Sequence, residues 1–179
     1  MKIEQIFAGV DVRRYSEEPM NEFRRLMNLW KDIAYLAGFF EAHRFDLVVA
    51  SNQYISIEDA IFETVDEAVA LQMKIYHLAT KEDAEGLERL FRPLHVRLDR
   101  DGYFSERKAY GVKRKSWLRL YALKTIDGAY LITGGAIKLT KGMQERVHTA
   151  NEIKKMSRCK AFLKEQGIYD QHGLIEVEL

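Results

Sequence analysis

The chain has 179 residues, 28 of them Lys or Arg and 27 Asp or Glu, for a formal charge of +1. A single cysteine, Cys159, excludes an internal disulfide and a cysteine-rich zinc site. No stretch approaches the roughly 18 apolar residues of a membrane span, and the N-terminus, MKIEQIFAGVDVRRY, does not read as a signal peptide, so a cytoplasmic protein with no membrane contact is expected.

The small total hides a segregation. Residues 1–86 sum to −7, residues 87–160 to +11, and residues 161–179 to −3. An acidic half 1–86 and a basic half 87–179 are expected to share one domain over 1–179, since the length suits one domain and no linker or repeat is visible.

In chain order, residues 2–8 read as a short strand. Ser16 and Pro19 mark a helix start. Met20, Phe23, Leu26, Met27, Trp30, Ile33, Ala37 and Phe40 recur at helical spacing and predict one helix of about six turns. Residues 44–54 interrupt it, with Asn52 as a turn residue. Ser56 opens a second helix, and Asp59 stands three residues on as a near capping box. Glu58, Glu63, Asp66 and Glu67 form its exposed face. A short helix runs from Thr80 and Asp83 to about Phe91, and Pro93 stops it.

After Lys115 the period becomes two. Residues 117–124 and 129–139 read as strands, and Asp127-Gly128 is a hairpin signal because a type I′ turn needs positive φ. TANE (Thr149–Glu152) predicts the cap of a helix reaching Gln166, closed by Gly167. Its inner stripe is Ile153, Met156, Cys159, Lys160 and Leu163. The tail from Leu174 predicts a last strand. The fold class is α+β: an N-terminal helical hairpin on a small, mainly antiparallel sheet, with a C-terminal helix.

A two-residue turn pairs Trp117 with Lys138, Arg119 with Ala136 and Tyr121 with Gly134, all on one face. Leu118, Leu120 and Ala122 with Ile137, Gly135 and Thr133 make the other face, the better core. The first face sets large cationic and aromatic residues over small ones, a shallow concavity suited to a phosphate backbone and stacked bases. Lys113, Arg114 and Lys115 precede it; Lys141, Arg146 and His148 follow it. Two readings stay open. Arg119 and Lys138 line an RNA surface, or they are half-buried sheet residues capped by carboxylates of the acidic helices. A bulge at the glycine pair would invert the faces.

Other constellations carry less. The acidic helix has no Glu-x-x-His pair of a di-iron site. Cys159 sits at an apolar helical position. Gly134-Gly135 opens no helix and follows no phosphate-loop spacing. His43, His77, His95 and His172 have no visible partners. No cofactor or metal is expected.

The run WLRLYALKTIDGAYLITGGAIKLTKGMQERVHTANEIKKMSRCKAFL, residues 117–163, resembles the C-terminal half of RelE/HigB-like toxins of bacterial type II toxin–antitoxin modules. The helix pair over 20–79 and the segment LFRPL (Leu90–Leu94) fit that family's helical hairpin and the lead into its sheet. The resemblance implies an endoribonuclease that cleaves messenger RNA without a metal, usually on the ribosome, and a cognate antitoxin. It implies phosphate stabilisation by Arg119 and Lys138. Tyr121 would stack a base or donate a proton, and His148 would act as base or acid. Trp117, Lys113, Arg114, Lys115, Lys141 and Arg146 would bind RNA. Leu139 stands where the family commonly has a second lysine, and the acidic half is longer than the family's. An inactive relative that binds RNA or a protein is therefore the alternative. The oligomeric state is open.

Overall fold

A computed structural model describes residues 2–7, 10–14, 20–51, 55–94, 102–113 and 115–176. The expected helix start at Ser16 and Pro19, the turn at Asn52, His95 and the RNA-binding candidate Arg114 lie outside these residues. The chain is α+β, as expected, and its sheet separates two layers of helices.

Strands β1 (Lys2–Phe7) and β2 (Val10–Arg14) form an antiparallel pair at one edge. The helices α1 (Glu22–Leu29), α2 (Ile33–Ala42), α3 (Arg44–Ser51), α4 (Ile57–Thr80) and α5 (Ala84–Leu90) follow. Then come β3 (Arg92–Pro93), β4 (Ser105–Tyr110), β5 (Leu118–Lys124) and β6 (Tyr130–Ile137), with α6 (Val147–Glu165) and α7 (Gln171–Glu176) last. The order across the sheet is β1-β2-β6-β5-β4-β3, antiparallel except for the β2–β6 pair.

The expected six-turn helix is two helices. Trp30 closes α1, and its N–H bonds back to Leu26 and Asn28 carbonyls. Asp32 caps α2 through the Tyr35 N–H at 3.0 Å. Apolar spacing runs on across the joint because both helices bury Leu26, Trp30, Leu36 and Phe40 in one core. Residues 44–51 are helical, although the sequence reads as a break there. Helix α6 begins at Val147, ahead of TANE, and Thr149 instead bonds to the Met143 and Arg146 carbonyls. Residues 171–176 form a helix where a strand is expected, and 177–179 lie outside the description.

The hairpin register holds in its far half and not near its turn. Leu118, Arg119, Leu120 and Tyr121 face Ile137, Ala136, Gly135 and Gly134, as the sequence predicts. Nearer the turn, Ala122 faces Ile132 and Lys124 faces Tyr130, one residue out of step. The loop is three residues long, since Thr125 N donates to Ala129 O at 2.9 Å, with Gly128 at φ +97°. An unpaired Thr133 makes up the difference as a bulge.

Both faces of β5 and β6 carry core. Leu118, Leu120, Ala122, Tyr130, Ile132 and Ile137 pack under α1–α5. Tyr121, Leu123, Leu131 and Ala136 pack with Met156, Cys159 and Leu163 of α6. The expected open concavity is thus largely filled. The small residues admit helices: a Cβ on Gly135 would sit 2.8 Å from Arg119 O and 2.9 Å from the Trp30 ring. Helix α6 leaves only one end of its face open, the end carrying Tyr110, Arg119 and Lys138.

Candidate nucleic-acid interface

That open end borders a cleft of about 800 Å³. Strands β4 and β5 contribute Tyr110 and Arg119, the segment after β6 contributes Lys138, Lys141 and Arg146, and α3 contributes Phe45 and Val49. Lys115, Ser116 and Trp117 close one wall.

Arg119 faces Tyr110 across the β4–β5 pair, which lays its guanidinium 4.0 Å above the Tyr110 ring. Its Nη1 donates to the carbonyls of Ser116 at 2.6 Å and Leu118 at 2.7 Å. Cation–π contact and carbonyl bonds orient a guanidinium but do not neutralise it. Lys138 is held in the same manner. Its Nζ donates to the Thr140 and Lys141 carbonyls, each at 2.5 Å. Among the described residues, neither side chain forms an ion pair. No carboxylate caps either cation directly, but Glu67 of α4 attracts Arg119, and Glu145, which also lines the cleft, attracts Lys138. Burial holds both cations below their usual pKa, and Arg119 and Lys108 add repulsion at Lys138.

The cationic loop before β5 is pinned by the acidic half. Glu67, expected on the exposed face of α4, is buried and accepts from Lys113 N at 3.2 Å and from the Ser116 hydroxyl. Burial raises its pKa. Gly111 is required there, because a Cβ would run into both Ser116 Oγ and Glu67 Oε2. One carboxylate of α4 thus fixes the loop that carries Lys113 and Lys115.

The other site candidates separate. Trp117 lines the cleft wall but is a core residue, 8% exposed. Its ring meets Phe40 edge-on at 5.8 Å, and its Nε1 donates to Thr64 Oγ1 at 2.8 Å. Alternation fails at Trp117 because it precedes β5 and turns toward the helices, so it is not the open stacking platform expected. Tyr121 is 1% exposed beneath α6, and its hydroxyl donates to Met143 Sδ at 2.8 Å. Burial pushes its pKa up. His148 borders a separate pocket of about 160 Å³ with Trp30, Tyr35 and Glu152. Its Nε2 meets the Ile137 carbonyl at 2.9 Å, and burial lowers its pKa. Neither Tyr121 nor His148 lines the cleft that holds Arg119 and Lys138.

Arg146 lines the cleft with its charge already matched. Asp46 of α3 takes it in a fork, Nε at 2.7 Å and Nη2 at 2.6 Å. The pairing lowers the Asp46 pKa and raises that of Arg146. Arg146 therefore ties α3 to the start of α6. Lys141 and Lys115 stay with Arg119 and Lys138 at the cleft, whereas Lys113 borders an adjoining cleft of about 370 Å³ with Lys74, Arg89, Arg92 and Tyr110.

Two aromatic residues of the site are missing from the sequence reading. Tyr110 lies in SERKAY, whose half-buried polar residues give no clean alternation. Phe45, 79% exposed at the cleft rim, lies in the segment that reads as a break. Phe45 beside Val48 and Val49 is a run of exposed apolar residues on a short helix, and that is the signal that could have found it.

Compared with protein-family models, with curated proteins and with solved structures, the chain matches none. Among the described residues no His, Cys, Asp and Glu cluster suits a metal ion, and no helix is long and apolar enough to cross a membrane.

Proposed function

We propose that this protein binds RNA in the Arg119–Lys138 cleft and acts there as a metal-independent endoribonuclease of the toxin type. One observation carries the reading: two half-buried cations that no carboxylate pairs directly, with Glu145 as a more distant neighbour in the lining, face one open cleft flanked by Tyr110 and Phe45. Cationic charge without a directly paired carboxylate, in a partly desolvated site, favours an anion more than the same charge in water. An RNA phosphate supplies that anion, and aromatic rims suit its bases.

The reaction is attack of a ribose 2′-oxygen on the adjacent phosphorus, with the bond to the 5′-oxygen breaking. The 2′-hydroxyl proton leaves to a base, and the departing 5′-oxygen takes a proton. Arg119 and Lys138 stabilise the pentacoordinate phosphate. Tyr110 and Phe45 take over the base-stacking role that Tyr121 and Trp117 suggest from sequence alone. Ribosome-bound messenger RNA is the substrate the family resemblance implies, and a cognate antitoxin would cover the same cleft.

A second reading has its own support. Among the described residues no histidine lines the cleft, and Tyr121 is sealed under α6. That favours an RNA-binding relative without chemistry. RNA cleavage in a translating extract, measured with and without chelator, decides between them. Cleavage that survives chelator and disappears in Arg119→Ala with Lys138→Ala supports the enzyme. Salt-sensitive binding by the intact protein with no product supports the binder.

A further inference from the structure

Positive charge does not end at Arg119 and Lys138. Tyr110, which borders their cleft, also borders the adjoining one of about 370 Å³. Four cations from four parts of the chain converge on this second cleft: Lys74 of α4, Arg89 of α5, Arg92 of β3 and Lys113 of the loop after β4. Among its described lining residues there is no carboxylate. Two carboxylates act from outside the lining. Glu85 meets Arg89 at 3.3 Å, both of them well exposed, and Glu67 attracts Lys113. Arg92 Nε reaches the Arg89 carbonyl at 3.5 Å. Lys74 and Arg92 are exposed and form no ion pair among the described residues.

Like charges gathered in one concavity repel one another, and a bound anion turns that repulsion into attraction. Continuity with the first cleft says which anion. Strands β5, β4 and β3 lie side by side, so Arg119, Tyr110 and Arg92 stand on successive strands, about 5 Å apart per lateral step. Cations on either side of an aromatic ring suit the alternation of phosphate and base along a single strand, whereas a small anion would use one cleft alone.

We infer that one RNA strand runs through both clefts, from Arg119 and Lys138, across Tyr110, to further phosphates held by Lys74, Arg92 and Lys113. This path rests on the RNA reading of the first cleft and adds to it a second subsite built by α4, α5 and β3. Lys74 belongs to the acidic half of the chain, so charge sums along the sequence conceal its part.

Fluorescence anisotropy of the full chain with labelled single-stranded oligoribonucleotides of about 4 to about 16 nucleotides tests the path. Affinity should rise with length until both clefts are filled. Lys74→Gln with Arg92→Gln alters two exposed side chains and should leave far-ultraviolet circular dichroism unchanged. It should lower affinity for the longest strand about tenfold and the slope of log affinity against log salt by about 1.4, the value for two single-strand contacts. The shortest strand, which the first cleft suffices to hold, should bind as before. Length dependence that the double variant retains, or an equal loss for the shortest strand, overturns the second subsite and leaves the first cleft standing. A wild-type chain that binds no strand of any length overturns the RNA reading itself, and the path with it.

Discussion

The sheet carries two pairs of half-buried cations, and the fold treats them in opposite ways. Arg107 and Lys124 point toward α5, where both meet Glu88, Arg107 at 2.6 Å. The Tyr130 hydroxyl donates to the same carboxylate at 2.8 Å. Despite some desolvation, these donors hold Glu88 down at about 2. Arg119 and Lys138 point the other way and bond directly to backbone carbonyls and an aromatic ring, with Glu67 and Glu145 acting on them only from farther off. The first pair is complete within the protein. The second pair is held in place but left positive, so it is available to a ligand. The difference lies in which helix lies opposite: α5 brings a carboxylate, and α6 stops short of the cleft.

The largest effect expected from breaking this contrast is at Glu88. Glu88→Ala leaves two cations and a phenol without their acceptor. It should cost about 2–3 kcal/mol in urea unfolding, less than a fully buried pair because Glu88 is partly exposed. The pH dependence has a definite sign. The folded-state pKa of Glu88 lies below its ordinary 4.5, so its contribution is complete above that value. It is lost as pH falls toward about 2. Glu88→Gln should flatten stability across that window; an unchanged acid limb would remove Glu88 from the account.

At the second pair the same operation should spare the fold and weaken the ligand. Arg119→Ala with Lys138→Met is expected to reduce RNA affinity about 100-fold, or about 2.7 kcal/mol, while stability moves by less than about 1 kcal/mol. A large stability loss without a binding loss would make these residues structural, like Arg107 and Lys124.

Glu152 offers a smaller test of the covered end. It is buried on the inner face of α6, and burial raises its pKa to about 6, although Lys155 at 2.7 Å opposes the shift. A raised carboxyl pKa means stability falls as pH rises from about 4.5 to about 6 and stays lower above it. Glu152→Gln should therefore stabilise the protein by about 1–2 kcal/mol at neutral pH, and by nothing below pH 4. Smallest of all is the salt response. Lys141→Ala should lower the slope of log affinity against log salt by about 0.7, the single-strand value for one phosphate contact.

Much of this was legible beforehand. Leu118–Tyr121 against Gly134–Ile137 could be registered by counting from Asp127-Gly128, even though the count crosses a three-residue loop and a bulge that cancel. Arg119 and Lys138 follow from that register, and they do share a cleft. Tyr110, Phe45 and the helix over 44–51 were not legible. Their side chains gain meaning only from neighbours about 10 residues or more away in sequence, and local periodicity does not see those neighbours.

The charge segregation that the sequence displays is also reinterpreted. By itself the sequence determined the α+β class, α4, the far half of the hairpin and the basic character of residues 87–160. Those depend on local periodicity, turn chemistry and composition, which act over a few residues. Tertiary structure decided the fate of each charge. It buried Glu67 to pin a loop, gave Asp46 to Arg146 and Glu88 to Arg107 and Lys124, and left Arg119 and Lys138 without a directly paired carboxylate. Net charge is additive along a chain, but compensation requires contact within a few ångströms, and only packing sets those distances.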